Sequence, residues 1–154
     1  MNSSIPDRTS SILYDEATFY KKFSQDLLKA TTEVIIESPF ITTRRLNSLK
    51  PIFERLVRKG VKVFILTRPP EEHDRDYAAQ AEIGIRYFEV IGIQPLLCRG
   101  GHHRKVAMID RRILWEGSLN ILSQSHSREL MERTESNEKT QGYYKFLKYD
   151  KVCY

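Results

Sequence analysis

The sequence predicts an α/β fold, an α/β/α sandwich around a mixed, largely parallel β-sheet. Short apolar segments alternate with amphipathic segments in the first half of the chain, and this alternation predicts parallel βαβ units. Closely spaced apolar segments follow, separated by Gly, Pro or charged turns, and they predict hairpins and hence a mixed sheet. The 154 residues, 40% of them hydrophobic and 29% charged, suit a soluble domain with its own core.

The predicted elements of the first half are two helices, over 15–30 and from about Leu46 to Gly60, and two strands, over 33–37 and 61–66. Apolar residues at helical spacing predict the helices, and runs of β-branched residues predict the strands. Pro51 lies inside the second helical pattern, so that helix is expected either to start near Ser48 or to be kinked.

The second half is expected to contain one more helix over 73–82, ended by Gly84, and strands over 85–90, 95–98, 104–109 and 113–115. Trp115 is expected in the core. From Gln141 onwards lysines are interleaved with aromatic residues, a pattern that can stack bases but more often packs against the domain. The expected organisation is a single domain over 1–154, with a core at about 15–136 and a C-terminal aromatic and basic segment at 137–154.

Composition excludes several classes of protein. Cys98 and Cys153 are too few for a disulfide scaffold or a four-ligand zinc site. Residues 1–16 lack the apolar run of a secretory signal, and no stretch reaches the ~18 apolar residues of a membrane span. A cytoplasmic protein without a membrane partner is therefore expected. The net charge of +5 and the pI near 9.2 suit an anionic partner.

Positive charge is concentrated between residues 41 and 70. This segment holds eight basic residues and one acid, Glu54, so it carries +7 by itself. Two interpretations stay open. The common one is a solvated helix face. The other is a surface that tracks phosphates and leads towards a functional site.

The residues with the clearest chemistry lie between Gly100 and Asn120. His103 and Lys105 are two apart at the start of a predicted strand, so their side chains share a face. Ser118 and Asn120 share a face if their segment is extended. Imidazole can attack phosphorus or carry a proton, while ammonium, hydroxyl and carboxamide groups can hold phosphoryl oxygens. No carboxylate cluster is present to bind Mg²⁺ or Ca²⁺, so attack on a phosphodiester without metal or cofactor is predicted.

This segment resembles the phospholipase D superfamily pattern of His, any, Lys, four residues, Asp, six residues, Gly-Ser-any-Asn. The pattern is filled by His103, Lys105, Asp110, Gly117, Ser118 and Asn120. Six specified positions at fixed spacing make a specific signal, and the similarity covers most of 30–135. The chain looks closest to single-motif, nuclease-like members, and this resemblance implies a phospholipase D-like fold.

The resemblance also implies roles for the residues. The catalytic set is His103, Lys105 and Glu129, and the phosphate-binding set is Lys105, Ser118 and Asn120. In the family a glutamate downstream of the Gly-Ser-any-Asn turn orients the histidine, and Glu129 is assigned this role, with Glu132 in reserve. The resemblance makes Asp110 and Gly117 structural, with Asp110 holding the sheet edge by pairing with nearby basic groups.

Two further residues are candidate substrate contacts. Arg68 follows a predicted parallel strand, at the end where open α/β sheets bind ligands. His102 is the neighbour of His103 and is expected on the opposite face.

The expected activity is a metal-independent, endonuclease-like phosphodiesterase acting on nucleic acid, DNA rather than RNA. The chain carries one motif, and family members with one copy combine two chains. The resemblance therefore implies a homodimer with a shared site and a phosphohistidine intermediate. Two alternatives stay open: a phospholipase or phosphatidyl transferase, and a non-catalytic DNA-binding module of a larger restriction, repair or helicase protein. A helicase-like or restriction component is accordingly a candidate partner.

Overall fold

A seven-stranded sheet forms the centre of the protein in the computed structural model, which describes residues 9–154. The strands are β1 (Ser10–Asp15), β2 (Glu33–Glu37), β3 (Lys62–Thr67), β4 (Gln94–Leu97), β5 (Val106–Ile109), β6 (Ile113–Gly117) and β7 (Leu130–Glu135). The helices are α1 (Phe19–Leu28), α2 (Thr43–Arg58), α3 (Arg75–Ile91), α4 (Asn137–Phe146) and α5 (Tyr149–Val152), with a 3-10 turn at Pro70–Glu72. The strand order is β1-β7-β6-β5-β2-β3-β4.

The mixed sheet of an α/β fold is confirmed, but the expectation that it is largely parallel is wrong. Only β2–β3 and β3–β4 are parallel, and the other four neighbouring pairs are antiparallel. The reason lies in the connections. Asp110 and Arg111 both have positive φ, 53° and 52°, in the tight turn that joins β5 to β6. A tight turn of this kind returns the chain at once, so β5 and β6 form an antiparallel pair.

Two apolar clusters lie on opposite faces of the sheet. The larger cluster packs α1, α2 and α3 against one face, and β2 contributes Val34 and Ile36 to it. Ile35 points to the other face, where Tyr144 and Tyr149 of the C-terminal helices cover it. The C-terminal segment is thus part of the core, which extends beyond the expected 15–136. Residues 1–8 of the expected domain lie outside the described residues.

Several predicted elements differ from the structure. The strand predicted over 85–90 is wrong, because α3 continues through Gly84 to Ile91. A Cβ at Gly84 would lie 2.7 Å from Ile41 Cγ2, so this glycine allows close packing and does not end the helix. Strand β1 was not predicted, because its side chains are mostly exposed and show no alternation. Pro51 lies on the exposed side of α2, which starts earlier than expected, at Thr43.

A buried ion pair fixes α1 against the antiparallel part of the sheet. The Asp26 carboxylate accepts hydrogen bonds from Arg133 Nε at 2.8 Å and Nη2 at 2.9 Å, and from Trp115 Nε1 at 2.9 Å. Trp115 is fully buried, as expected. None of the helices in the described part of the chain combines the length and the apolar character that a membrane-crossing segment requires.

Candidate active site

Most of the predicted site residues meet at one edge of the sheet, which we call the site edge. Here β2 ends at Glu37 and pairs with the beginning of β5 at Val106. Strand β6 ends nearby at Gly117, opposite Met131 near the beginning of β7. Chain reversal at this edge therefore brings together residues before β5, after β6 and before β7. The opposite edge, where β2 begins and β5 ends, is called the distal edge.

His103 and Lys105 form the centre of the site. They precede β5, and Lys105 Nζ lies 3.1 Å from His103 Nε2. His103 is exposed, whereas Lys105 is only 8% exposed. An ammonium group can donate hydrogen bonds but cannot accept them, so a hydrogen bond from it needs an unprotonated Nε2. The contact therefore fits a neutral imidazole whose proton is on Nδ1.

The pKa of Lys105 is shifted by burial and by two charged neighbours. Burial is the main cause that lowers the pKa of Lys105, and the positive charge of Arg68 lowers it further. The carboxylate of Glu129 acts in the opposite direction and raises this pKa. Arg68 and Glu129 are therefore both within electrostatic reach of the ammonium group.

Ser118 lines the same groove as His103 and Lys105, and Tyr143 of α4 forms part of its wall. The hydroxyl of Ser118 accepts a hydrogen bond from Leu130 N at 3.0 Å, and Ser118 N donates to Leu130 O at 2.9 Å. Gly117 makes this close approach feasible. A Cβ there would lie 2.9 Å from Met131 Cα and closer still to the Leu130 carbonyl oxygen. The Gly-Ser pair thus anchors the loop to the start of β7.

Asn120 and Glu129 line a small neighbouring cavity, together with Arg45. The segment after Gly117 is a loop, so the shared face expected for Ser118 and Asn120 does not form. The buried Oδ1 of Asn120 has no hydrogen-bond partner among the described residues. The structure therefore gathers His103, Lys105 and Ser118 in one groove, and places Asn120 and Glu129 beside it.

His102 points inward, away from the groove. Its Nε2 lies 3.3 Å from Oε1 of Glu37, and burial lowers the pKa of His102. Arg68 follows β3 at the site edge and donates to the carbonyl oxygen of His102, from Nε at 3.3 Å and Nη2 at 3.1 Å. Arg68 thus holds the segment that precedes His103.

Glu37 was missed by sequence reasoning. Its fully buried carboxylate accepts from Arg104 Nη2 at 2.8 Å and from Tyr149 Oη at 2.8 Å. Burial beside Glu37 raises the pKa of Tyr149, so the hydroxyl remains a donor. Glu37 thereby ties both neighbours of His103 to the C-terminal helix. The only available signal was that a carboxylate stands at each end of the short apolar strand β2, Glu33 and Glu37.

Asp110 lies at the distal edge, and its expected pairing with basic groups is wrong. Its carboxylate accepts from the backbone N–H groups of Thr31, Thr32 and Glu33 at 3.0, 2.8 and 3.0 Å. These hydrogen bonds lower the pKa of Asp110 despite its partial burial. Asp110 therefore joins the end of β5 to the start of β2, more than the length of a strand away from His103.

The basic segment over 41–70 is also divided between the two edges. Arg45 and Arg68 are near the site, whereas Arg58, Lys59 and Lys62 are near the distal edge. No three His, Cys, Asp or Glu side chains within residues 9–154 are grouped as metal ligands would be. The independence from metal stays a prediction.

Structures similar to this one support the same fold. NucT from Helicobacter pylori superposes with a TM-score of 0.72 at 19% identity, over 94% of this chain and 96% of NucT. Nuc from Salmonella typhimurium, a phospholipase D family member, gives 0.71 at 14% identity, over 90% and 91%. Phosphatidylserine synthase from Haemophilus influenzae Rd KW20 gives 0.65 at 16% identity, over 90% of this chain but 39% of the synthase.

A search of the curated proteins finds no match to this sequence. A family model described as "Cardiolipin synthase, PLD-like domain" matches residues 23–150, which is most of the chain and includes the whole motif from His103 to Asn120. The family model and the fold thus agree, and the chain belongs to the phospholipase D superfamily.

Proposed function

We propose that the protein is a metal-independent phosphodiesterase that hydrolyses nucleic acid through a phosphohistidine intermediate at a homodimer interface. The observation that carries this proposal is the 3.1 Å contact between His103 Nε2 and Lys105 Nζ in a groove shared with Ser118. A nucleophilic nitrogen and two donors for phosphoryl oxygens lie side by side there.

In the first step, His103 Nε2 of one protomer attacks phosphorus and forms a P–N bond, while the bond to the leaving oxygen breaks. In this mechanism the Lys105 ammonium donates to the Nε2 lone pair before substrate binds, across the 3.1 Å contact. A bound phosphodiester attracts the ammonium to its non-bridging oxygens, and this frees Nε2 for attack. Ser118 and Asn120 add neutral donors to the same oxygens.

The departing alkoxide needs a proton, and the chain offers one suitable imidazole per protomer. His103 of the partner subunit takes up a proton from solvent at Nε2 once its own Lys105 has turned to the phosphodiester, and this imidazolium gives the proton to the alkoxide as a general acid. It then accepts a proton from water, which attacks phosphorus, breaks the P–N bond and releases a phosphomonoester. Glu129 acts as a positioning residue that keeps the proton of His103 on Nδ1.

The choice of nucleic acid as substrate is based on charge. The net charge is +5, and exposed arginines on α2 carry no carboxylate partners among the described residues. Unpaired cations beside a phosphodiesterase site favour a polyanion as substrate. The cytoplasmic location and a helicase-like or restriction partner stay predictions.

The experiment is a cleavage assay in excess EDTA with plasmid, single-stranded DNA and RNA. We expect cleavage of DNA by the wild-type protein, and a rate lower by about 10³-fold or more for His103→Ala, because the nucleophile and the general acid are lost together. His126→Ala is the matched control, since His126 is exposed in the loop before β7 and has no role in the proposed mechanism.

Other substrates separate the competing functions. Release of headgroups from phosphatidylglycerol vesicles, with DNA left intact, would replace the proposal by a phospholipase or transferase. Salt-sensitive DNA binding without turnover of any phosphodiester would identify a binding module. Cleavage that appears only after a divalent metal is added would contradict the metal-independent mechanism.

A further inference from the structure

One face of helix α2 carries positive charge and no negative charge. Its exposed residues recur at alternating spacings of four and three, which places them on a single stripe of the helix. We call this stripe the α2 track, and it consists of Arg44, Ser48, Pro51, Arg55 and Arg58. Pro51 is its one apolar member.

The α2 track runs from the site edge to the distal edge. At its beginning, Thr42 N donates to Leu122 O at 2.9 Å, and Arg45 donates to Gln124 at 2.8 Å, in the loop that follows Asn120. At its end, Lys59 Nζ bonds to the carbonyl oxygen of Ala30 at 2.8 Å, just before β2. The 14 residue steps from Arg44 to Arg58 correspond to about 21 Å of helix.

No carboxylate within residues 9–154 neutralises the cations of the α2 track. Arg44, Arg55 and Arg58 form no ion pair with any carboxylate among residues 9–154. Glu54, the acid of this helix, instead accepts a hydrogen bond from Tyr87 of α3 at 3.0 Å. Its carboxylate is thus directed towards the neighbouring helix.

A solvated helix face normally mixes both signs of charge. The exposed charged residues of the neighbouring helix α3 show this mixture: Arg75, Asp76, Glu82, Arg86 and Glu89. The α2 track departs from it, so mere solubility does not account for its composition.

We propose that the α2 track binds the phosphate backbone of the nucleic acid beyond the bond that is cleaved, and guides the strand from the distal edge into the groove of His103. This inference rests on the proposed function and extends it to a second binding surface. Guanidinium groups pair well with phosphate oxygens. A bilayer would also attract cations, but an interfacial helix needs an apolar face, and the α2 track has none beyond Pro51.

Binding is measured with fluorescently labelled DNA of about 16 nucleotides, single-stranded and duplex, at several salt concentrations. The His103→Ala protein is used so that no cleavage occurs. Adding Arg55→Gln and Arg58→Gln should weaken binding on the order of 10-fold and lower the salt slope by about 1.4 for the single strand. Lys21→Gln with Arg86→Gln is the matched control. It removes the same charge from exposed sites on α1 and α3 and should leave binding unchanged.

A small phosphodiester separates this proposal from the proposed function. Hydrolysis of bis(4-nitrophenyl) phosphate should be equal for the wild-type protein and for Arg55→Gln/Arg58→Gln, because this substrate does not reach the α2 track. If the wild-type protein hydrolyses no phosphodiester, the proposed function is wrong. The binding measurement still tests whether the α2 track binds DNA. Equal DNA affinity in the track variant and the control variant would overturn the inference. The inference would also be overturned if the track variant bound anionic vesicles less well than the control variant but bound DNA equally well.

Discussion

At the scale of single residues, the ammonium group of Lys105 is the most informative probe of the site. Burial lowers the pKa of Lys105, Arg68 lowers it further, and Glu129 raises it. As the pH rises, Lys105 therefore loses its charge at a lower pH than a free lysine does. Activity that depends on the charged form is lost as the pH passes this lowered pKa. The two charged neighbours act in opposite directions, so they can be separated by substitution.

We predict that Arg68→Ala raises the pKa of Lys105 and that Glu129→Gln lowers it. Removing the positive charge of Arg68 stabilises the ammonium form of Lys105, and removing the negative charge of Glu129 destabilises it. The measurement is an NMR titration of ¹³C-labelled lysine side chains. The signal of Lys62 at the distal edge should respond to neither substitution. Shifts of Lys105 in the same direction for both variants would contradict the geometry of the site.

The spacing of the motif was enough to predict that His103 lies beside Lys105, because residues two apart in an extended segment share a side. The same reasoning failed for Asn120, whose segment is a loop. Glu37 was beyond reach, since its partners Arg104 and Tyr149 are 67 and 112 residues away along the chain. Local patterns reveal neighbours in sequence, but a buried carboxylate is stabilised by partners that only the fold supplies.

At the scale of elements, two helical glycines have opposite roles. A Cβ at Gly84 of α3 would lie 2.7 Å from Ile41 Cγ2, whereas a Cβ at Gly142 of α4 would meet nothing within 4 Å. We predict that Gly84→Ala destabilises the protein by about 1–3 kcal/mol through overpacking. Gly142→Ala should instead stabilise it by about 0.5–1 kcal/mol, because alanine restricts the unfolded chain.

Urea unfolding of both variants beside the wild-type protein measures these two free energies. Stabilisation by Gly84→Ala would mean that α3 does not approach Ile41 closely. The pair also explains one error of sequence reasoning. Glycine often ends a helix, and for this reason Gly84 was predicted to end one. Gly84 instead lies inside α3, where the absence of a side chain allows α3 to pack closely against the segment before α2. That requirement comes from tertiary contact, which local propensity does not contain.

Strands that alternate with helices were recognisable from their apolar runs, as β2 and β3 show. Strand β1 was not, because Ile12 and Leu13 are 49% and 61% exposed at the edge of the sheet. An edge strand that is mostly exposed on both faces leaves no periodic pattern. Its pairing with β7 is a property of the assembled sheet, and β7 also begins at the site edge.

At the scale of the whole molecule, the two edges of the sheet have different roles: the distal edge is structural and the site edge carries the candidate active site. Asp110 and the ion pair between the buried Glu33 and the half-exposed Arg111 hold the distal edge together. The site edge keeps His103 exposed in an open groove. A single copy of the motif provides one imidazole for two steps that each need one, a nucleophile and an acid. The described residues form two apolar clusters around one sheet, whereas the proposed mechanism requires a second copy of the chain to complete the site.

Subunit mixing tests this requirement. When His103→Ala chains are refolded together with wild-type chains, a mixed dimer has one imidazole at its shared site and should be inactive. Activity should then fall as the square of the wild-type fraction, because only dimers with two intact copies turn over. Independent protomers would lose activity in direct proportion to that fraction.

The control mixes wild-type chains with Arg86→Gln chains, altered on an exposed face of α3, and should show no loss. A proportional decrease with His103→Ala would require the second proton carrier to come from the same chain. If this proton carrier is a histidine, the candidates among the described residues are His73, His102 and His126. His102 is turned inward against Glu37, and His73 packs against Phe40 with the ring centroids 4.7 Å apart, so neither faces the groove. His126 would then become the general acid to test.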